Sequence, residues 1–206
     1  MAISILSKTS RHRQSPLTLR RLASPSQAIV LLLAIALLPT RAVPQTSAAS
    51  QFDIQAVYLF NFAKFVRWPP APDSGPVTIC VAGDKKYNDI LAHVVKGEQI
   101  DSRPVLARSI QTPDDEAGCG IVFVSASAKD RLAPLLAATT GKPILTVSDI
   151  PGFLDHGGMI QFEVIANRVR FAVNLRPTVP SGISLSSELL KVAVTVTGAP
   201  TSGGTQ

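Results

Sequence analysis

Few residues of this 206-residue chain can do chemistry, and their spacing limits what that chemistry is. His93 falls within an amphipathic segment, and His156 sits in the loop Asp155-His-Gly-Gly158. With Asp149 and Asp155, His156 makes a sparse donor set, and no second histidine ligand lies in range, so a metal site is not expected. There is no G-x-S-x-G elbow, no phosphate-binding loop and no G-x-G-x-x-G fingerprint. Gly83-Asp84 follows a strand as nucleotide-binding turns do, but it lacks the further glycines that let a phosphate approach the backbone. No nucleophile–base set, catalytic residue or cofactor site is legible, and the chain is not expected to be an enzyme.

Binding chemistry is better represented. Arg67-Trp68-Pro69 pairs a planar cation with the chain's single tryptophan, the residue types enriched in interface hot spots. An arginine beside aromatic surface suits a carboxylate or a stacked ring. Asp149-Ile-Pro-Gly-Phe153 is first of all a turn after a strand, with Gly152 free to take positive φ and Phe153 free to plug the core. The same loop leaves the C-terminal end of a central strand, where open α/β sheets place ligands. Asn61, Lys64, Arg67, Trp68, Asp149 and Phe153 are therefore the candidate partner or ligand contacts.

The elements that must position them start with Gln55 to Pro69. Read as a helix, it carries Asp53, Asn61, Lys64 and Arg67 on one narrow polar stripe. Nearly all else there is apolar, and six of the eleven aromatic residues lie between Phe52 and Trp68. Such a helix needs cover on several sides, from a sheet and from another subunit or a receptor. Val77–Ala82, Arg103–Ile110, Ile121–Ser125 and Ile144–Val147 have the β-branched, apolar character of buried strands. Helical segments alternate with them at Asn88–Lys96 and from Ser127 to Thr139, with Pro134 placed in a first turn. Met159–Ile165 and Arg168–Leu175 alternate about Ala166-Asn167, which predicts an antiparallel hairpin with Glu163 opposite Arg170. Ser186 caps a last helix whose packed side is Leu189, Leu190, Ala193 and Val196. The fold expected is α/β, a largely parallel sheet with helices on both faces and the C-terminal hairpin at an edge.

The N-terminus has the layout of a secretory signal: Arg11, Arg13, Arg20 and Arg21, then the apolar run Ala28 to Leu38, then small residues at Ala42 and Ala48. That run is too short to span a bilayer, and no later run is long enough, so the mature chain is not expected to span a membrane. The expected division is a signal peptide over 1–42, a flexible lead over 43–50, one domain over 51–197 and a disordered tail over 198–206. Six of the twenty basic residues precede the first acid, Asp53, leaving fourteen of each sign afterwards. The formal charge of +6 therefore belongs to the leader, and a nucleic-acid partner is excluded for want of a basic face. In an oxidising compartment, Cys80 and Cys119 are expected to be bridged; the competing reading is two buried thiols.

Tyr58-Leu-Phe-Asn-Phe-Ala-Lys-Phe-Val-Arg-Trp-Pro69, with Leu145–Phe153, Gly158–Phe162, Val169–Asn174 and Ser186–Leu190, resembles the YfiR family of periplasmic regulators. The resemblance runs from about Gln55 to Val194. It implies a periplasmic protein that binds the periplasmic portion of an inner-membrane signalling protein. A diguanylate cyclase is the best-known such partner; its repression lowers cyclic-di-GMP and biofilm formation. A homodimer is compatible with it, and so is the disulfide, which that family commonly carries. The alternative is a periplasmic small-molecule sensor that feeds a histidine kinase.

Overall fold

The computed structural model describes residues 50–70 and 75–198. The expected signal peptide, its cleavage near Ala42 or Ala48, most of the lead and nearly all of the tail lie outside the described residues. Ser50 opens the first helix, α1 (Gln51–Phe65), through a capping box with Asp53. The helix ends at Phe65, earlier than the sequence pattern implied. Val66 is already extended, and Val66–Arg67 form a short strand, β1. Arg67 therefore leaves the polar stripe of the helix and belongs to a strand.

The remaining elements are β2 (Val77–Ala82), α2 (Lys85–Val94), β3 (Gln99–Ile100), β4 (Arg103–Ile110), β5 (Ile121–Val124), α3 (Leu132–Thr139) and β6 (Leu145–Ser148). They are followed by β7 (Ile160–Ile165), β8 (Arg168–Asn174), α4 (Thr178–Ser181), β9 (Ser184–Leu185), α5 (Ser187–Val192) and β10 (Thr195–Thr197). The eight-stranded sheet runs β10-β8-β7-β6-β5-β2-β4-β3, while β1 and β9 pair separately. Strands β4, β2, β5, β6 and β7 are parallel, and β8, the second strand of the β7–β8 hairpin, pairs antiparallel to β7. This is the mixed α/β architecture expected. Ala166 and Asn167 both take positive φ, the geometry of a two-residue hairpin turn, and the register sets Glu163 opposite Arg170. One expectation fails: Val196 is not on the last helix. That helix stops at Val192, and Thr195-Val-Thr197, rich in β-branched residues, pairs parallel to β8.

Alternation along the strands creates two cores. On one face Ile79, Val81, Ile121, Phe123, Leu145 and Val147 meet α1, α2 and the α5 region. On the other, Cys80, Ala82, Val122 and Val124 meet α3, Ile150 and Phe153. Cys80 and Cys119 are bridged, tying β2 to the entry of β5, as the compartment argument expected. Tight packing makes one glycine obligatory. A Cβ at Gly158 would lie 2.1 Å from Cε1 of the fully buried Phe153 ring.

Candidate functional site

Helix α1 crosses the sheet from one strand edge to the other, and the candidate residues fall at three places along it. At its start, near the C-terminal edge of the sheet, α1 faces the point where the chain leaves β2 for one side and returns as β5 on the other. In open α/β sheets this is where the crevice forms. Gly83 turns there with φ +146°, and a Cβ would come within 2.6 Å of Ser125. Ser125 and Ser127 exchange a hydroxyl hydrogen bond of 3.1 Å. The half-buried Asp149, at the end of β6, accepts from the Ala126 N–H at 2.7 Å. Burial pushes its carboxyl above the usual range, offset in part by that N–H and by the side chain of Gln55.

Two neighbours complete this polar cluster. Gln55 is fully buried, and neither its amide oxygen nor its nitrogen closes a hydrogen bond of sound geometry. Tyr87 is also fully buried, stacks on Phe123 at 4.4 Å and has no partner for its hydroxyl among the described residues. Burial, then the Asp149 charge, pushes the phenol far above its normal range. Gln55 was not among the residues singled out, although a signal existed: it is a polar residue on the apolar side of α1. Phe153, by contrast, is fully buried in the second core. Its ring fills space and offers no surface contact, so the rim role expected for it is corrected to core packing.

A pH prediction follows from Asp149. A carboxyl whose folded pKa is raised binds more protons in the folded state, so its contribution to stability falls as pH rises above the unfolded value near 3.8. Asp149→Asn keeps an acceptor for the Ala126 N–H and removes the buried charge. The variant should be more stable than the parent at neutral pH, with the gain shrinking toward pH 3. Denaturant midpoints at both pH values check this; a variant less stable at pH 7 contradicts it.

The middle of α1 presents its outer face. Asn61 is half-buried, and the exposed Lys64 holds its ammonium 3.9 Å from the centre of the Phe60 ring. Beside them Ile54, Val57 and Phe65 are 38%, 47% and 37% exposed. Asp53, Ile54, Val57, Tyr58 and Asn61 line a shallow trough on this face. The open face is thus broader and more apolar than a narrow polar stripe. On the inner face Phe62 packs on Phe162 and Phe171 at 5.7 and 5.0 Å.

Beyond the end of α1, Arg67 and Trp68 border a groove of about 470 Å³ at the N-terminal edge of the sheet. The half-buried indole lies against Gly120, 3.5 Å from where a Cβ would be, and its buried N–H has no partner among the described residues. The exposed Arg67 guanidinium makes no ion pair within 4 Å among the described residues. Arg103, on the same groove, donates from Nε to Gly75 O at 2.6 Å. The structure therefore brings Arg67 and Trp68 together, sets Asn61 and Lys64 on an adjoining face, and places Asp149 at the opposite strand edge.

Residues 52–194 match the family described as DUF4154, YfiR/HmsC-like. The chain belongs to this family. Among solved structures, a conserved domain protein from Vibrio cholerae O1 biovar El Tor is similar, with a TM-score of 0.52 at 7% identity over 71% of this chain. At that identity the likeness is one of fold. A second, the ABC domain in complex with L-Trp from Streptococcus pneumonia, has a TM-score of 0.42 at 8% identity over 58% of this chain. The chain spans 60% and 55% of the lengths of these two proteins. Among the described residues of this YfiR/HmsC-like domain, no helix is long and apolar enough to cross a membrane, and no cluster of His, Cys, Asp and Glu suits a metal.

Proposed function

We propose that this protein is an exported regulator that binds the periplasmic portion of an inner-membrane signalling protein and holds it inactive. A diguanylate cyclase is the partner class most consistent with the family, so that binding lowers cyclic-di-GMP. The observation that carries the reading is membership of the YfiR/HmsC-like family over nearly the whole described domain. The physical logic is differential affinity: a regulator that prefers the inactive receptor shifts its population, and release lets the cyclase assemble. The outer face of α1 supports this, with exposed Ile54, Val57 and Phe65 beside Asn61 and Lys64. Arg67 and Trp68 continue the same surface with hot-spot chemistry.

The test pairs affinity with stability. Mature protein is used to retain the receptor from solubilised membranes of its own host, and Arg67→Ala is compared with the parent. Arg67 is exposed, so the thermal midpoint should hold while affinity falls by at least about 1 kcal/mol. Unchanged affinity would remove Arg67 from the interface. One observation favours a second reading, the small-molecule sensor that feeds a histidine kinase. The groove beside Trp68 offers a guanidinium and an indole N–H that have no partner among the described residues, groups that suit a small anion.

A further inference from the structure

The two ends of the eight-stranded sheet leave different amounts of backbone open. At one end β10 has three residues, and so short an edge offers little to an incoming strand. At the other end β4 has eight residues, but β3 pairs only with Arg103 and Pro104. The Val105 N–H still reaches Glu98 O at 3.0 Å. Because Val105 turns its backbone away from β2, alternation turns the N–H and C=O of Ala107 and Ser109 the same way. Those four groups have no hydrogen-bond partner among the described residues.

Charge or proline ordinarily blunts such an edge. Here Pro104 lies in the covered part, and both arginines turn back from the edge. Arg103 donates to Gly75 O, while Arg108 Nη2 donates to Asp115 O at 3.0 Å and Ala117 O at 2.5 Å and lies 3.2 Å from Cys119 Sγ. Every one of these Arg108 contacts uses Nη2, leaving Nε and Nη1 without acceptors among the described residues. A groove of about 590 Å³ lies beside the open part on one face of the sheet, lined by Thr78 of β2 and Gly118 together with Leu106, Ala107 and Arg108, and Leu106 is 48% exposed.

We propose that the open edge of β4 takes an added strand from a protein partner, an extended segment with an apolar and an acidic residue two positions apart. This inference rests on the reading of the protein as a regulator that binds a receptor, and it gives that receptor a second contact apart from α1. Backbone bonds to Ala107 and Ser109 hold the strand, and side chains supply the selection. Leu106 and Arg108 project to one face of the sheet, so the partner's apolar residue covers Leu106 and its carboxylate meets Arg108. A second copy of β4 is the poorer occupant, because its strand, Arg103–Ile110, contains no acidic residue to meet Arg108.

The probe is a fluorescent, end-blocked heptapeptide, STVTETS, compared with its lysine counterpart STVTKTS. Anisotropy gives affinity, and amide exchange is read at Ala107 and Ser109. The glutamate peptide should bind at least about tenfold tighter than the lysine peptide, since like charges across an interface are strongly disfavoured. It should also slow exchange at both amides. Ala107→Pro removes an outward N–H and no bond to β2, so it should abolish binding while the fold persists. Leu106→Glu, which leaves the backbone unchanged, should do the same by repelling the glutamate. No binding at millimolar peptide, equal binding of both peptides, or binding that survives Leu106→Glu overturns the proposal. A self-association that Ala107→Pro abolishes overturns the choice of partner in favour of a second copy. In host cells, a Leu106→Glu protein that represses cyclic-di-GMP as well as the parent overturns the edge alone. If the parent itself fails to repress, the regulatory reading fails instead.

Discussion

Replacing Cys80 and Cys119 together by serine should lower the stability of the oxidised protein by about 4 kcal/mol. The bridge closes a loop of sequence separation 39 and joins β2, in the middle of the sheet, to the turn that enters β5. Its removal mainly frees the unfolded chain, so the denaturant midpoint should fall while the slope changes little. Cys80 is fully buried and Cys119 nearly so, which adds a small packing loss in the second core. Thiol labelling of the unfolded, unreduced parent should detect no free cysteine. Two reactive thiols in that experiment would return the pair to simple core filling.

Phe62→Ala should cost about 3–5 kcal/mol, the range for truncating a large buried aromatic. Phe62 is 1% exposed and sits between α1 and the hairpin, against Phe162 and Phe171, with Tyr58 at 5.8 Å on the same helix. Its loss leaves a cavity among three rings that cannot close without moving α1. Val57→Ala, five residues earlier on the outer face, should change stability by less than about 0.5 kcal/mol. The contrast separates the two sides of the helix: the inner side carries the fold, and the outer side is free to carry a partner. Equal losses from the two substitutions would mean that α1 is not anchored as described. Thermal or denaturant midpoints of the two variants, measured together, decide it.

Most of the sheet was legible because its strands are marked locally. Ile79, Val81, Ile121, Phe123 and Val147 lie in short β-branched runs that only a sheet covered on both sides can bury. The hairpin register followed from alternation about Ala166-Asn167, and it holds residue for residue through Glu163 and Arg170. Failures came where non-local contacts decide. Phe65 to Pro69 looked like helix, but Val66 and Arg67 find β9 more than a hundred residues later and become a strand. Val196 looked like the last packed turn of a helix until β8 claimed it.

The candidate site was half legible. Arg67 and Trp68 stand out by type alone, and the structure sets them side by side on one groove. The burial of Phe153 depends on its fit against Gly158, which no spacing rule foretells. Gln55 and Tyr87 meet Asp149 only because α1 and α2 pack over the C-terminal ends of β5 and β6, so their cluster is a product of topology. The open edge of β4 is the same kind of feature. Its residues are unremarkable in sequence, and only the shortness of β3 leaves them unpaired.

Cellular cyclic-di-GMP tests the central claim most directly. It is measured in the native host lacking this chain and again after return of the parent or of Val57→Asp. Val57 is exposed on the outer face of α1, so the charged variant should fold with an unchanged thermal midpoint. The account predicts that cyclic-di-GMP rises without the chain, falls when the parent is restored and stays high with Val57→Asp. Levels that do not respond to the presence of the chain would contradict it.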